Sequence, residues 1–141
     1  MDFGMIGAGA VMGLSAIGSA IGLGIGGMGT IGAWKKCLQR NKPAPFLMLV
    51  FAAAPLTQTI YGMITMNAIK GSTVDPFLRM AAGICSGLAI GISAIYQGVD
   101  GASASDAFGE TGAGFGNYII VIGLTETVAL FTMVFTMGMM G

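Results

Sequence analysis

One carboxylate stands against an apolar background. Glu126, in the stretch Gly123-Leu-Thr-Glu-Thr-Val-Ala-Leu-Phe131, is the only acidic or basic side chain between Glu110 and Gly141. Apolar residues long enough to span a bilayer flank it, which places the carboxyl near mid-membrane. A charge at the bilayer centre costs roughly 2.5–3.5 kcal/mol on insertion scales and is usually retained for function. Protonation or pairing with an ion avoids most of that cost. Two chemistries fit: a neutral carboxyl serving as packing glue, or a carboxylate that binds and releases a cation. The second is the expected role. A second group of polar residues surrounds Pro55, which cannot donate to the carbonyl of Phe51 and leaves it free. Thr57, Gln58 and Tyr61 follow, and spacings of three and four put Thr57 and Gln58 on the face of Tyr61. Polar side chains clustered at membrane depth beside a freed carbonyl read as the lining of a cavity. Taken singly, each also fits an interhelical hydrogen bond, which for Thr57 alone is the better reading. Gln97 is the polar exception in another apolar run.

The elements that must position these groups follow from composition. The chain has 141 residues, 55% hydrophobic and 9% charged, with a mean hydropathy of +0.84. A soluble domain carries about 25% charged residues. Charge-free runs cover residues 3–34, 43–69 and 80–99, and only Glu126 interrupts 111–141. Each reaches the ~20 residues that cross a hydrocarbon core as a helix. The expected fold is all-α, with four transmembrane helices at about 3–36, 45–69, 77–102 and 115–139. With Asp2 ahead of the first span and no basic stretch, a cleaved signal peptide is not expected. Lys35, Lys36, Arg40 and Lys42 fall in the first loop, which the positive-inside rule makes cytoplasmic. Both termini and the loop from Lys70 to Arg79 are then outside. The third loop, with Asp100, Asp106 and Glu110, is expected to be cytoplasmic.

The halves repeat. Ser19-Ala20-Ile21 matches Ser93-Ala94-Ile95, and Gly24 and Gly27 then fall on Gly98 and Gly101. Leu56-Thr57-Gln58-Thr59 matches Leu124-Thr125-Glu126-Thr127. Residues 1–70 and 71–141 thus read as two hairpins, each a small-residue helix followed by a bulky one, in a parallel rather than inverted repeat. The acid of the second hairpin is Gln58 in the first. The offset falls from 74 to 68 residues, which shortens the second hairpin's loop by six. The first and third helices suit the crowded inner circle of a ring. The second and fourth, rich in Phe, Met, Leu and Ile, suit an outer circle facing lipid. Glycine-rich helices bury little alone, so a homo-oligomer is expected.

Several functions are excluded. With no histidine there is no imidazole metal site and no Ser-His or Cys-His nucleophile. Cys37, in the first loop, and Cys85, inside a helix, read as free thiols. Six basic residues, mostly in one loop, do not make a nucleic-acid surface. Gly22, Gly24 and Gly27 match G-x-G-x-x-G, but no strand precedes them and no acid follows at the required distance. They read as close-packing positions.

With the paired hairpins and single acid, the chain resembles the proteolipid (c, or K) subunit of V-type and A-type rotary ATPases over essentially its full length. That resemblance implies a membrane rotor ring, turned by ATP hydrolysis in a separate head, so the chain is not catalytic alone. Each carboxylate would load and release an ion through a stator subunit bearing an arginine, and the cytoplasmic loops would meet a central stalk. The run Pro55-x-Thr57-Gln58-x-x-Tyr61-Gly62, with Gln97-Gly98 and Glu126-Thr127, is most similar to sodium-translocating members. Leu56 departs from them, standing where their run has a small residue, and the 98–116 loop also differs. By the resemblance, Thr57, Gln58, Gln97 and Glu126 give side-chain oxygens to Na+, the carbonyl of Ala54 adds another, and Tyr61 holds the carboxylate. The chemistry agrees, because a hard cation takes several oxygens. Proton carriage needs only the carboxyl. The alternatives are a proton-specific ring, a cation channel with Glu126 in its lumen, or a purely structural membrane subunit. The location implied is a prokaryotic cell membrane. One acid per four helices favours a pump over a synthase, since fewer ions per ATP sustain a steeper gradient, at about 2.3 kcal/mol per charge per 100 mV.

Overall fold

The computed structural model describes residues 2–141, and the described residues form four long helices without a strand. Helix α1 spans Phe3–Gln39, α2 Phe46–Gly71, α3 Pro76–Thr111 and α4 Phe115–Met140, each long and apolar enough to cross a membrane. Polar side chains mark the starts of α1 and α3. Asp2 accepts from the amide of Gly4 at 2.9 Å, and Asp75 accepts from Phe77 and Leu78 at 2.9 and 3.2 Å, with Pro76 opening the helix. Such caps satisfy amides that have no partner within the helix.

Two helices run longer than expected. Helix α1 continues to Gln39, so Cys37 is buried in its last turns and not in a loop. Helix α3 continues past the expected end near 102 to Thr111, so Asp100, Asp106 and Glu110 all lie on α3. Alanines sustain the helix through 101–111, and Gly112 stops it with a φ of +67° and an amide that returns to the Phe108 carbonyl at 2.8 Å. Gly114, at +85°, then starts α4. A side chain in that left-handed region costs roughly 1–2 kcal/mol, which glycine avoids. The connection 112–114 is three residues against six for 40–45, a smaller difference than the repeat offset implies, because α3 and α4 stop short of their repeat images.

Helices α1 and α3 pack backbone on backbone. A methyl group added at Gly18 would lie 2.2 Å from the Gly91 carbonyl oxygen. One at Gly83 would meet the Gly7 oxygen, and one at Gly98 the Gly22 oxygen, each at 2.2 Å. Gly22 also faces Ala94 and Pro55, so it is a packing residue as its sequence context indicates. A buried hydroxyl pair, Thr30 with Ser105 at 2.8 Å, joins the same helices. Helix α2 lies on α1, with Gly62 against Ser15, and α4 lies on α3. Arg79 closes one end by donating to Asp2 at 2.8 Å, and Lys36 with Asp106 at 2.6 Å marks the other. Near the second end Phe51 packs among Phe108, Phe115 and Tyr118, with ring centroids 5.1–6.1 Å away. Met28, Phe46, Leu124, Phe131 and Phe135 stay exposed on the single chain.

Helix α2 is broken at Pro55. Residues Ala54–Leu56 form a 3-10 turn between α-helical segments. The Phe51 carbonyl that Pro55 leaves unpaired packs against Gly101 of α3, where an added methyl would sit 2.3 Å from it. It faces α3 one turn from Gln97. Leu56, the departure from the sodium-type run, is 53% exposed and points away from that site.

Candidate ion site around Glu126

Three helices converge on Glu126. Its residue number on α4 places it about 16 Å from Phe115 and about 21 Å from Met140 along the helix axis at ~1.5 Å per residue. The Tyr61 hydroxyl of α2 donates to Glu126 Oε1 at 2.5 Å. From α3, Gln97 Nε2 donates to Glu126 Oε2 at 3.1 Å and to the Ile122 carbonyl at the same distance. Gln97 Oε1 accepts from Gln58 Nε2 at 2.8 Å. Gln58 Oε1 in turn accepts from Thr57 Oγ1 at 3.2 Å, and the same hydroxyl reaches the Ala54 carbonyl at 3.1 Å. The six residues singled out in the sequence thus form one connected network. Among the described residues, no basic side chain takes part in it.

Local sequence explains this convergence. The 3-10 turn set by Pro55 delivers the Ala54 carbonyl next to Thr57, because a 3-10 turn tightens the chain against its own third neighbour. Gln58 and Tyr61 then project one turn apart toward α3 and α4. Gln58 and Gln97 are fully buried, and a buried amide without partners costs about 1–3 kcal/mol per group. The network removes that cost. The carboxylate, both amides, the hydroxyl and the carbonyl bring oxygens together at a half-buried position between the helices, a donor set of the kind a hard cation takes.

Two contributors were not apparent in the sequence. Ser93 Oγ donates to the Thr125 carbonyl at 2.8 Å, and Thr125 Oγ1 donates to Asp100 Oδ2 at 2.5 Å. Glu126 is therefore not the only acid at this depth: Asp100 stands beside the same turn of α4. The spacing Ser93, Gln97, Asp100 marks one face of α3, and that stripe was the available signal.

Four helices in two hairpins, with one carboxylate bonded into a polar network, have the architecture of a membrane proteolipid. Residues 80–139, the second hairpin, match the family model for the C subunit of ATP synthase. The K subunit of the A-type ATP synthase from Methanocaldococcus jannaschii is 37% identical over 130 residues, covering 91% of this chain and 57% of that protein. The second hairpin thus carries the pattern of the rotary-ATPase proteolipids, and the four apolar helices mark the chain as an integral membrane protein. It spans 57% of the length of that relative.

Proposed function

We propose that this chain is a rotor-ring subunit of an A/V-type ATPase that carries Na+ on Glu126, coupled to ATP hydrolysis by rotation of the ring. The observation that carries the reading is the connected network of Tyr61, Gln97, Gln58, Thr57 and the Ala54 carbonyl leading to one carboxylate. In the loaded state Glu126 supplies the charge, and Thr57, Gln58, Gln97 and Ala54 supply neutral oxygens. Tyr61 holds the carboxylate in place. Release follows when the Glu126 side chain leaves Tyr61 and Gln97 and meets the stator arginine, whose charge displaces the cation. The partners are further copies of this chain, the stator subunit and a central stalk at the cytoplasmic loops. The basic residues Lys35 and Lys36 at the end of α1 and Arg40 and Lys42 after it support a cytoplasmic side for this end of the bundle.

One observation favours a proton in place of sodium. The nitrogen of the Gln97 amide, not its oxygen, faces the carboxylate, so the network is complete without a metal ion. A channel is disfavoured, because the polar groups occupy one depth and the α1–α3 seam is filled by backbone. The test is Glu126→Gln in the whole complex. The ring should assemble, while ion transport and coupled ATP hydrolysis are lost. Transport near the wild-type rate would remove the carrier role from Glu126.

A further inference from the structure

The acidic residues sort into two groups. Asp2 pairs with Arg79, Asp106 with Lys36, and Glu110 lies 4.0 Å from Arg40. Asp75 caps α3. Asp100 and Glu126 are left, neither with a basic partner among the described residues. Both meet the same turn of α4. Ser93, Gln97 and Asp100, spaced by four and three on α3, contact Thr125, Ile122, Glu126 and again Thr125. Among the described residues, every polar bond that α3 makes to this turn comes from that stripe. The apolar grip here is small, since Ile122 is buried but Val121 and Leu124 are exposed.

We infer that Asp100 is a positioning residue for Glu126. By taking the Thr125 hydroxyl it fixes the rotation of the α4 turn that brings the Glu126 carboxyl to both Tyr61 and Gln97. A preorganised site tolerates errors of roughly 0.5 Å or 10–20°, so a small rotation of that turn opens one of the two contacts. Without Asp100, Thr125 has a second acceptor ready, the Val121 carbonyl of its own helix, already 3.4 Å away. Back-bonding of that kind bends helices and favours a different local geometry. Asp100 touches no transported ion and acts through Thr125 alone. The inference rests on Glu126 being the ion carrier.

The experiment uses intact rings and follows carbodiimide modification of Glu126, located by peptide mass, against sodium concentration at fixed pH. Asp100→Ala and Thr125→Val should each raise the half-protecting sodium concentration about fivefold. The double variant should be no worse than either single one, because both remove the same bond. Asp100→Asn should stay within twofold of wild type, since its amide oxygen still accepts from Thr125. Gel filtration confirms that the rings remain assembled. An unchanged Asp100→Ala ring, or additive single effects, would overturn the inference. So would an Asp100→Asn ring as impaired as Asp100→Ala, which would mean that the charge itself acts. If wild-type labelling ignores sodium, the labelling rate serves as readout, and the alanine and valine variants must still depart from wild type together. A wild-type ring in which Glu126 is never labelled would instead remove the carrier reading.

Discussion

Tyr61→Phe isolates one bond of the site. The hydroxyl donates to Glu126 Oε1 at 2.5 Å, while the ring packs against the cluster of Val11, Ile69 and Ile90. Phenylalanine keeps that packing, so the fold and ring assembly should survive. What changes is the difference between the carboxylate with its cation and the empty, protonated carboxyl. A hydrogen bond to a charged group contributes about 1.5–3 kcal/mol and one to a neutral group about 0.5–1.5 kcal/mol. Only the difference, about 1–1.5 kcal/mol, bears on the competition between sodium and the proton. At ~1.4 kcal/mol per tenfold, cation affinity should fall about 5- to 13-fold. Gln97 still donates to Oε2, which is why the loss is not larger. The assay is sodium protection of Glu126 against a carbodiimide, with rotor assembly checked in parallel. An affinity equal to wild type would refute the claim that Tyr61 holds the charged form, and a collapsed ring would show that the hydroxyl serves the fold.

Two further substitutions probe the network and the seam. Gln58→Leu leaves Gln97 Oε1 without its donor, so it should weaken the sodium dependence of ATP hydrolysis while rings still assemble. Unchanged sodium dependence would make Gln58 a packing residue. Gly18→Ala places a methyl 2.2 Å from the Gly91 carbonyl, where backbone cannot yield. Thermal unfolding in detergent should show a loss of about 1–3 kcal/mol, the usual cost of overpacking. An unshifted transition would mean that α1 and α3 are not in close contact there.

The helices were legible because apolar runs of membrane length permit little else in lipid. The site was legible because Thr57, Gln58, Tyr61, Gln97 and Glu126 are polar exceptions in such runs, and exceptions at one depth have only one another to bond. The end of α3 was hidden for a related reason. The alanine- and glycine-rich residues 98–114 leave the end of the third helix open in the sequence, and pairing of Asp106 and Glu110 with α1 keeps them helical to Thr111. Grouping Asp100 with the acids of the cytoplasmic third loop removed it from the site, although Ser93, Gln97 and Asp100 lie on one helical face. The sequence marks the Phe51 carbonyl as freed by Pro55, but its direction comes only from the packing of α2 on α3. Gly101, which packs against that carbonyl, is far away in sequence.

The central claim is that the oxygens around Glu126 hold a metal ion. Carbodiimide modifies the acid form of a carboxyl, so a cation that displaces the proton slows the reaction. The decisive measurement is the labelling rate of Glu126 against sodium concentration at constant pH and ionic strength, with potassium as control. The account predicts a rate that falls and saturates with sodium and ignores potassium. A rate that follows pH but is indifferent to sodium would contradict it, leaving Glu126 as a proton carrier and Thr57, Gln58 and Gln97 as bonds between helices.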